Sequence, residues 1–486
     1  MKGKVITLIV AGSLAVGAGG TYAGMTLFSD EESSSPLEEA AEKSLGIDLG
    51  EGSGTDEEFE KIEKTYELIS KQYYQKIEKE KLLEGAIQGM VETLGDPYSV
   101  YMDAETAEQF SDTLESSFEG IGAEVTMMDG YVTIVAPFED SPAENAGLRP
   151  KDQIVSINGE STKGLNLYDA VLKIRGKKGT TVTLGVKRPG VNDTLSIKVK
   201  RDEIPIETVY SDVIENDGKK IGHIRITSFS KDTADDFEKQ LKSLEDKEID
   251  GLIVDVRGNP GGYLQSVENI AKLFVTKDEP IVQIEARNGE KQRFFSSRSK
   301  ERGYPIVGLI DRGSASASEI LAAALKEAGG YELVGETSFG KGTVQQAVDM
   351  DDGSSIKLTM FKWLTPDGNW INEKGVKPTI EVKQPEYFYA SPITVEKPLA
   401  FDMNGDQVKN VQTILKGLGF NPGRTDGYFD EETETAVRAF QNANGLTVSG
   451  KVNKETASKM EEKLLDRVDQ RKYDLQLQTA IEVLFK

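Results

Sequence analysis

GLIVDVRGNPGGYLQSVENIAKLF, residues 251–274, packs an apolar strand, a glycine-rich turn and a helix into one short run. A second such unit follows in IVGLIDRGSASASEILAAALKEAGG, residues 306–330, where the buried strand Ile306–Ile310 leads through small residues into an alanine-rich helix. Upstream, 221–228 alternates like a strand and carries His223, and 237–244 has helical periodicity. Strand, loop and helix in series over 191–395 predict an α/β core whose site lies at the carboxyl ends of its strands.

Working outward, residues 115–190 turn to short strands and glycine turns. SPAENAGLRPKDQIVSINGE (141–160) holds a short helix, a turn and a strand, followed by a helix over 167–175 and a strand over 181–187. This stretch resembles a PDZ domain. The resemblance implies capture of a chain terminus by strand addition, with the carboxylate taken by the loop Gly120-Ile121-Gly122-Ala123. On the far side, 404–463 runs from NGDQVKNVQTILKGLGF through DGYFDEETETAVRAFQNANGL to GKVNKETASKM. It resembles the small all-α peptidoglycan-binding domain of bacterial wall enzymes. Residues 464–486 read as a charged, mildly amphipathic helical tail that packs somewhere.

The N-terminal region divides in three. Lys2 and Lys4 precede an uncharged run from Val5 to Phe28, about 36 Å long as a helix, against roughly 30 Å of bilayer hydrocarbon. Residues 1–28 are therefore a membrane anchor with its N-terminus in the cytoplasm, or a signal peptide cleaved on secretion. Both readings put the body of the protein on the extracytoplasmic face. Residues 29–54 are an acidic, Ser/Gly-rich linker. Over 55–114, Phe59, Ile62, Tyr66, Ile69 and Tyr73 mark one helical stripe, and Leu82, Leu83, Ile87, Met90, Val91 and Leu94 a second. These helices are a homodimerisation arm or a pair packed on its own core.

Composition removes whole classes of chemistry. The 486 residues carry a net charge of −24, which disfavours nucleic acid, since that affinity comes from Lys and Arg on phosphates. There is no cysteine and a single histidine, His223. Disulfides, thiol nucleophiles and Cys–zinc sites are excluded, and a histidine-based triad would have to run through that one residue. No metal or cofactor is expected, and a catalytic base must be sought elsewhere.

Ser316 lies in GSASASE (313–319), between a buried strand and a helix start. Free N–H groups and the positive dipole end there favour an oxyanion. Ser316 and Glu319 also have the S-x-x-E spacing of a capping box, which needs no catalysis. Lys341 sits between glycines in GETSFGKGTVQ (335–345), a position that an ordinary surface lysine also explains. As a base it must be neutral, which costs about 4.6 kcal/mol at pH 7 unless burial lowers its pKa. It must therefore be buried near a polar partner, and Gln345 is the candidate.

The set LGDPYSVYM (94–102), the PDZ segment, DVRGNPGG (255–262), GSASASEI (313–320) and GETSFGKGTVQ (335–345) resembles the carboxyl-terminal processing, or tail-specific, serine proteases of Gram-positive type. The resemblance implies a crotonase- or Clp-protease-like α/β core. It implies Ser316 as nucleophile, Lys341 as base and Gln345 as the group that orients it. The oxyanion would be held by the Ala317 N–H with an N–H from Gly261 or Gly262. Substrates would be proteins or peptides with free C-termini, gated by the PDZ domain, with Arg175 as the first candidate contact between PDZ and protease. Peptidoglycan is the second expected partner. On this reading His223 is a structural strand residue. A peptidoglycan hydrolase fits less well, because zinc with histidine ligands or a cysteine nucleophile is excluded by composition. A catalytically dead scaffold leaves the motif set without a purpose.

Overall fold

The computed structural model describes residues 56–486 apart from positions 129, 139, 166, 190 and 192. The anchor or signal segment and the acidic linker lie outside the described residues. No helix among the described residues is long and apolar enough to cross a membrane. The chain divides into two units, one holding Glu115–Glu207 with Pro385–Tyr473, the other Thr208–Gln384 with Asp474–Lys486 and the described residues up to Leu114.

The second unit is built on a six-stranded sheet in the order Val209–Asn216, Lys219–Ile226, Gly251–Asp255, Ile306–Ile310, Glu332–Gly335, Ile380–Glu381. The first pair is antiparallel and the remaining pairs are parallel. Parallel neighbours need crossovers, which the helices Leu264–Lys272 and Ala317–Ala323 supply together with Thr233–Glu245. One core joins Phe237, Leu241, Val267, Ile270, Ile320 and Leu321 to Ile224, Leu252 and Val254 of the sheet. The other face carries Ile221, Ile253, Val307, Leu309 and Val334, covered by Leu477, Ala480, Ile481 and Leu484. Covered on both faces, strand Gly251–Asp255 is buried at every position, which is why it reads as an unbroken apolar run.

The C-terminal tail is thus part of the α/β unit. Its helix, Leu475–Val483, is capped by Asp474, whose carboxylate accepts from Leu477 N–H at 2.9 Å. The chain leaves the unit at Gln384 and re-enters at Asp474, and the two ends touch, with Leu475 N–H donating to Gln384 Oε1 at 3.0 Å. The intervening residues 385–473, which include the all-α domain, are inserted into this unit rather than appended to it.

A second sheet of five strands pairs Ser355–Leu364 with Val100–Met102, Pro280–Glu285 and Thr343–Asp349, and Lys291–Phe295 lies beyond Pro280–Glu285. Val100 pairs with Lys357 and Met102 with Ser355. This corrects the assignment of all of 55–114 to a helical arm: the strand within LGDPYSVYM belongs to the α/β unit. The arm proper is Asp56–Gln72 and Lys79–Glu92. Among the described side chains neither helix buries a residue, and Phe59, Ile62, Leu68, Leu83 and Met90 are exposed. The pair therefore has no core of its own.

In the other unit, the PDZ-like sheet runs Ala123–Met128, Tyr131–Pro137, Gln153–Ile157, Thr181–Lys187, Leu195–Lys200, all antiparallel. It extends past the expected boundary at 190, because the charged alternation LSIKVK still pairs with Thr181–Lys187. Ser117–Gly120 and Asp202–Pro205 pair at its two ends. Arg201 closes the helix Leu167–Ile174 by donating to the Ile174 and Lys173 carbonyls, a cation at the negative end of the helix dipole. The all-α domain packs Asp406–Leu418, Glu431–Ala443 and Lys454–Val468 around Val411, Leu415, Val437, Phe440 and Met460. Asp430 and Asn453 cap the second and third helices from their side chains.

Candidate active site

Two loops meet at the carboxyl ends of the central strands. The loop after Ile306–Ile310 is held by Asp311, which accepts from Gly258 N–H at 2.8 Å and Gly313 N–H at 2.9 Å. Ser314 Oγ donates to the Val256 carbonyl at 2.8 Å. Ala315 N–H and Ser318 Oγ both donate to the Asn259 carbonyl, at 3.0 and 2.8 Å. Asn259 is fully buried. Its side chain accepts from Gly261 N–H at 2.8 Å and donates to the Ile226 carbonyl at 3.0 Å. RGNPGG and GSASASE are thereby laced into one rigid surface.

Ser316 begins the helix Ala317–Ala323 at φ 55°, ψ −113°. That backbone is strained for a residue with a Cβ, and it is not the extended geometry of an ordinary N-cap. The capping box does form: Glu319 Oε2 accepts from Ser316 N–H at 2.8 Å. Capping therefore accounts for the spacing but not for the backbone. A serine on a strained strand-to-helix turn is the geometry that presents a nucleophile at the end of a sheet.

Glu319 does more than cap. It is buried, and Oε2 also accepts from Lys341 N–H at 2.8 Å, while Oε1 accepts from Ser338 Oγ at 2.6 Å and Gly340 N–H at 2.7 Å. One carboxylate oxygen so holds the backbones of Ser316 and Lys341 together. Burial pushes the Glu319 carboxyl upward, against the four donors that favour its anion.

Lys341 has no solvent exposure. Its carbonyl accepts from Trp363 Nε1 at 2.7 Å, and its Nζ lies 4.6 Å from the centre of the Tyr98 ring. The flanking glycines are needed for close packing. A Cβ on Gly340, at φ +96°, would lie 2.9 Å from Lys374 N, and one on Gly342 would lie 2.7 Å from Asn372 N. Burial first, then the charge of Lys357, pulls the Lys341 ammonium down from 10.5 to about 7; Asp96 and Glu319 pull the other way. Lys357 is itself buried and lowered to about 8 by that burial, with its Nζ 4.8 Å from the centre of the Phe110 ring.

Gln345 is buried, but its hydrogen bonds differ from expectation. Its Nε2 donates to Thr343 Oγ1 at 2.9 Å and Thr359 Oγ1 at 3.1 Å, and its Oε1 is buried without a partner. The expected hydrogen bond from Gln345 to the lysine amine is not formed. The expected pair of glycine donors also narrows. Gly261 N–H is spent on Asn259, and its Cα sits so close that a Cβ would lie 2.9 Å from Ser316 Cβ. Gly262 bridges to Phe229, where a Cβ would come 2.1 Å from the carbonyl oxygen. Ala317 N–H, at the first turn of its helix, and Gly262 N–H are the donors the two loops offer.

Sequence reasoning gave no site role to Tyr98, Asp96 and Lys357, and gave Glu319 only that of a cap. Asp96 accepts from Ser99 Oγ at 2.6 Å and Tyr98 N–H at 3.1 Å, and Ser99 Oγ accepts from Thr359 N–H at 3.0 Å. LGDPYSVYM is thus bound to strand Ser355–Leu364, which pairs with the strand Thr343–Asp349 that follows the lysine turn. His223 lies elsewhere, between Asp212 and Asp255.

In the PDZ-like domain, Gly122 has φ +71°, and a Cβ there would lie 2.6 Å from Ser141 Cβ. The loop is fixed by Ala143 N–H on the Ile121 carbonyl and Phe138 N–H on the Gly122 carbonyl, at 2.7 and 3.0 Å. Gly120 ends one strand and Ala123 begins the next, Ala123–Met128, which is an edge of its sheet. Its free side is where a peptide strand can add. The Arg175 guanidinium stacks 4.8 Å from the centre of the Phe118 ring.

The chain matches the models of peptidase family S41 over 220–382, of the PDZ domain over 120–199 and of a putative peptidoglycan-binding domain over 404–460. Residues 14–106 match the N-terminal domain of the activating protease CtpB. It is 56% identical to the carboxy-terminal processing protease CtpB of Bacillus subtilis over 485 residues, all of both chains. It is 43% identical to CtpA of the same organism, over 90% of this chain and 93% of the relative. A probable CtpA-like serine protease of Staphylococcus aureus is 36% identical, over 87% and 84% of the two chains.

Proposed function

Since the chain belongs to peptidase family S41, as a carboxy-terminal processing serine protease with PDZ and peptidoglycan-binding domains, we propose that Ser316 is its nucleophile and Lys341 its general base. The observation that carries this reading is the Glu319 clamp: one carboxylate oxygen binds the N–H of a strained serine and of a fully buried lysine lowered to about 7. Neutral Lys341 takes the Ser316 proton as Oγ attacks the scissile carbonyl. The oxyanion is held by the N–H groups of Ala317 and Gly262. The Lys341 ammonium then protonates the leaving amine, and a water activated by Lys341 hydrolyses the acyl-enzyme. Gln345 Oε1, buried and unpartnered, is the acceptor that steadies the ammonium in that step.

The PDZ domain binds a free C-terminus along the edge strand Ala123–Met128, with the carboxylate in the 120–123 loop, and gates the site. Arg175 relays that state to the protease. The all-α domain holds the enzyme at the wall, and residues 1–28 tether it to the membrane or direct its export. The exposed apolar faces of helices Asp56–Gln72 and Lys79–Glu92 support a homodimer contact.

The test is digestion of unfolded casein by residues 29–486, beside Ser316→Ala and Lys341→Ala. Both variants should be inactive and folded, and turnover by either one removes the dyad. Deleting the whole PDZ-like segment, 115–207, should change rate and substrate choice; unchanged cleavage of every substrate removes the gating role.

A further inference from the structure

The glycine loop that carries Gly262 begins at Arg257, and Arg257 is gripped from two sides. Its Nε and Nη2 donate to the two oxygens of Asp255, at 2.9 and 2.7 Å. Its Nη1 and Nη2 donate to the two oxygens of Asp474, each at 2.9 Å, and Nη1 also reaches Gln476 Oε1 at 3.1 Å. Asp255 is buried at the end of the central strand and receives His223 Nε2 at 3.2 Å, while His223 Nδ1 meets Asp212 at 3.3 Å. Asp474 is placed by Gln384, whose side chain donates to it, and Gln476 is held on the Val382 carbonyl at 2.9 Å. A planar guanidinium held bidentately on two edges has almost no freedom left.

Asp474 comes from the far end of the chain, and capping the last helix does not account for its second oxygen, which is used on Arg257. We infer that Asp474 is a positioning residue for the peptidase reaction. Through Arg257 it fixes the origin of the 257–262 loop, which packs against Ser316 at Gly261, and through that loop the Gly262 N–H assigned to the oxyanion. This rests on the reading of Ala317 and Gly262 as oxyanion donors. The segment 474–486 is then a working part of the catalytic unit, and the inserted all-α domain interrupts that unit between Gln384 and the residue that sets the loop.

The test uses the full chain and a fluorogenic peptide. Asp474→Asn keeps a side chain that caps a helix as well as Asp does but loses the charge and one acceptor for Arg257. It should lower kcat by about 10- to 100-fold, the scale of a small misplacement at a reacting centre, with KM within about twofold. Arg257→Lys should fall as far, and the double variant no further than Arg257→Lys alone. Asp474→Glu should restore part of kcat, and Glu482→Gln, on the exposed side of the same helix, should match wild type. A folded Asp474→Asn with unchanged kcat, or with the loss confined to KM, overturns the inference. So does a doubly additive pair. If both single variants fail to fold, the contact serves stability alone and the inference also fails. Ser316→Ala assayed in parallel separates the two readings, because residual turnover there refutes the dyad whatever Asp474 does.

Discussion

The lysine base sets a pH dependence whose direction and size follow from its surroundings. Lowering Lys341 from 10.5 to about 7 corresponds to about 5 kcal/mol at 1.36 kcal/mol per pH unit. At pH 7 about half the molecules hold the neutral amine, against about one in 3,000 for an unperturbed lysine. kcat/KM should therefore rise tenfold per pH unit below about 7 and level off above pH 8. Replacing Lys357 by Met removes the nearby cation while keeping an unbranched side chain. Its charge lowers Lys341, so the midpoint should move to higher pH, with the high-pH plateau retained. The assay is initial-rate hydrolysis of a fluorogenic peptide from pH 5 to 9.5, with circular dichroism at each end. A midpoint that stays in place or moves acid in Lys357→Met refutes the electrostatic argument. Stability supplies a second check. Between about 7 and 10.5 the unfolded chain binds the proton that folded Lys341 has lost, so stability rises with pH across that window; it is lost as pH falls from 10.5 towards 7 and changes no further below that. Lys341→Met should gain on wild type by up to about 5 kcal/mol at pH 6, and the gain should vanish above pH 10.5.

Three further outcomes are expected. Ser316→Gly relieves a backbone that a Cβ strains, so it should raise stability by about 1 kcal/mol while abolishing turnover; a lower melting temperature counts against stored strain. Gly262→Ala pushes a Cβ against the Phe229 carbonyl and should cost about 10²- to 10³-fold in kcat. Gly303→Ala, with open space around it, is the control, and equal kcat in the two variants would sink the role given to the loop. Phe440→Ala empties the core of the all-α domain at a cost of about 3–5 kcal/mol and should abolish co-sedimentation with purified peptidoglycan; undiminished sedimentation would detach wall binding from this domain.

Much of this architecture is written in local pattern. Gly251–Asp255 and Ile306–Ile310 are apolar runs bounded by glycine loops, and both are buried central strands. Ser316 and Lys341 are marked as candidates by their motifs, and the demand that Lys341 be buried follows from its chemistry alone. What local pattern could not carry was partnership over distance. Ser99 and Thr359 are hydrogen-bonded across 260 positions, and nothing in either segment names the other, so Tyr98 and Asp96 were read as part of a helical arm. Glu319 was legible only as a cap, since its bonds to Gly340 and Lys341 depend on a turn that the S-x-x-E spacing does not describe. The last helix was legible as a packed tail, but not what it packs on. Asp474 and Gln476 look like solvated residues until Arg257 is placed beside them. Gln345 was expected on the amine, but Thr343 and Thr359 fix its amide through Nε2, and Oε1 is left buried without a partner.

The packing of helix Leu475–Val483 has a bearing on how activity and local unfolding are tied together. Leu477, Ala480, Ile481 and Leu484 are buried against the central sheet, and Asp474 at the start of the helix grips Arg257. Peeling the helix away would uncover those four side chains and release Asp474 from Arg257 in the same event. Local opening of this segment and loss of the anchor of the glycine loop are therefore one transition, so a molecule frayed here is also one whose loop has been set free.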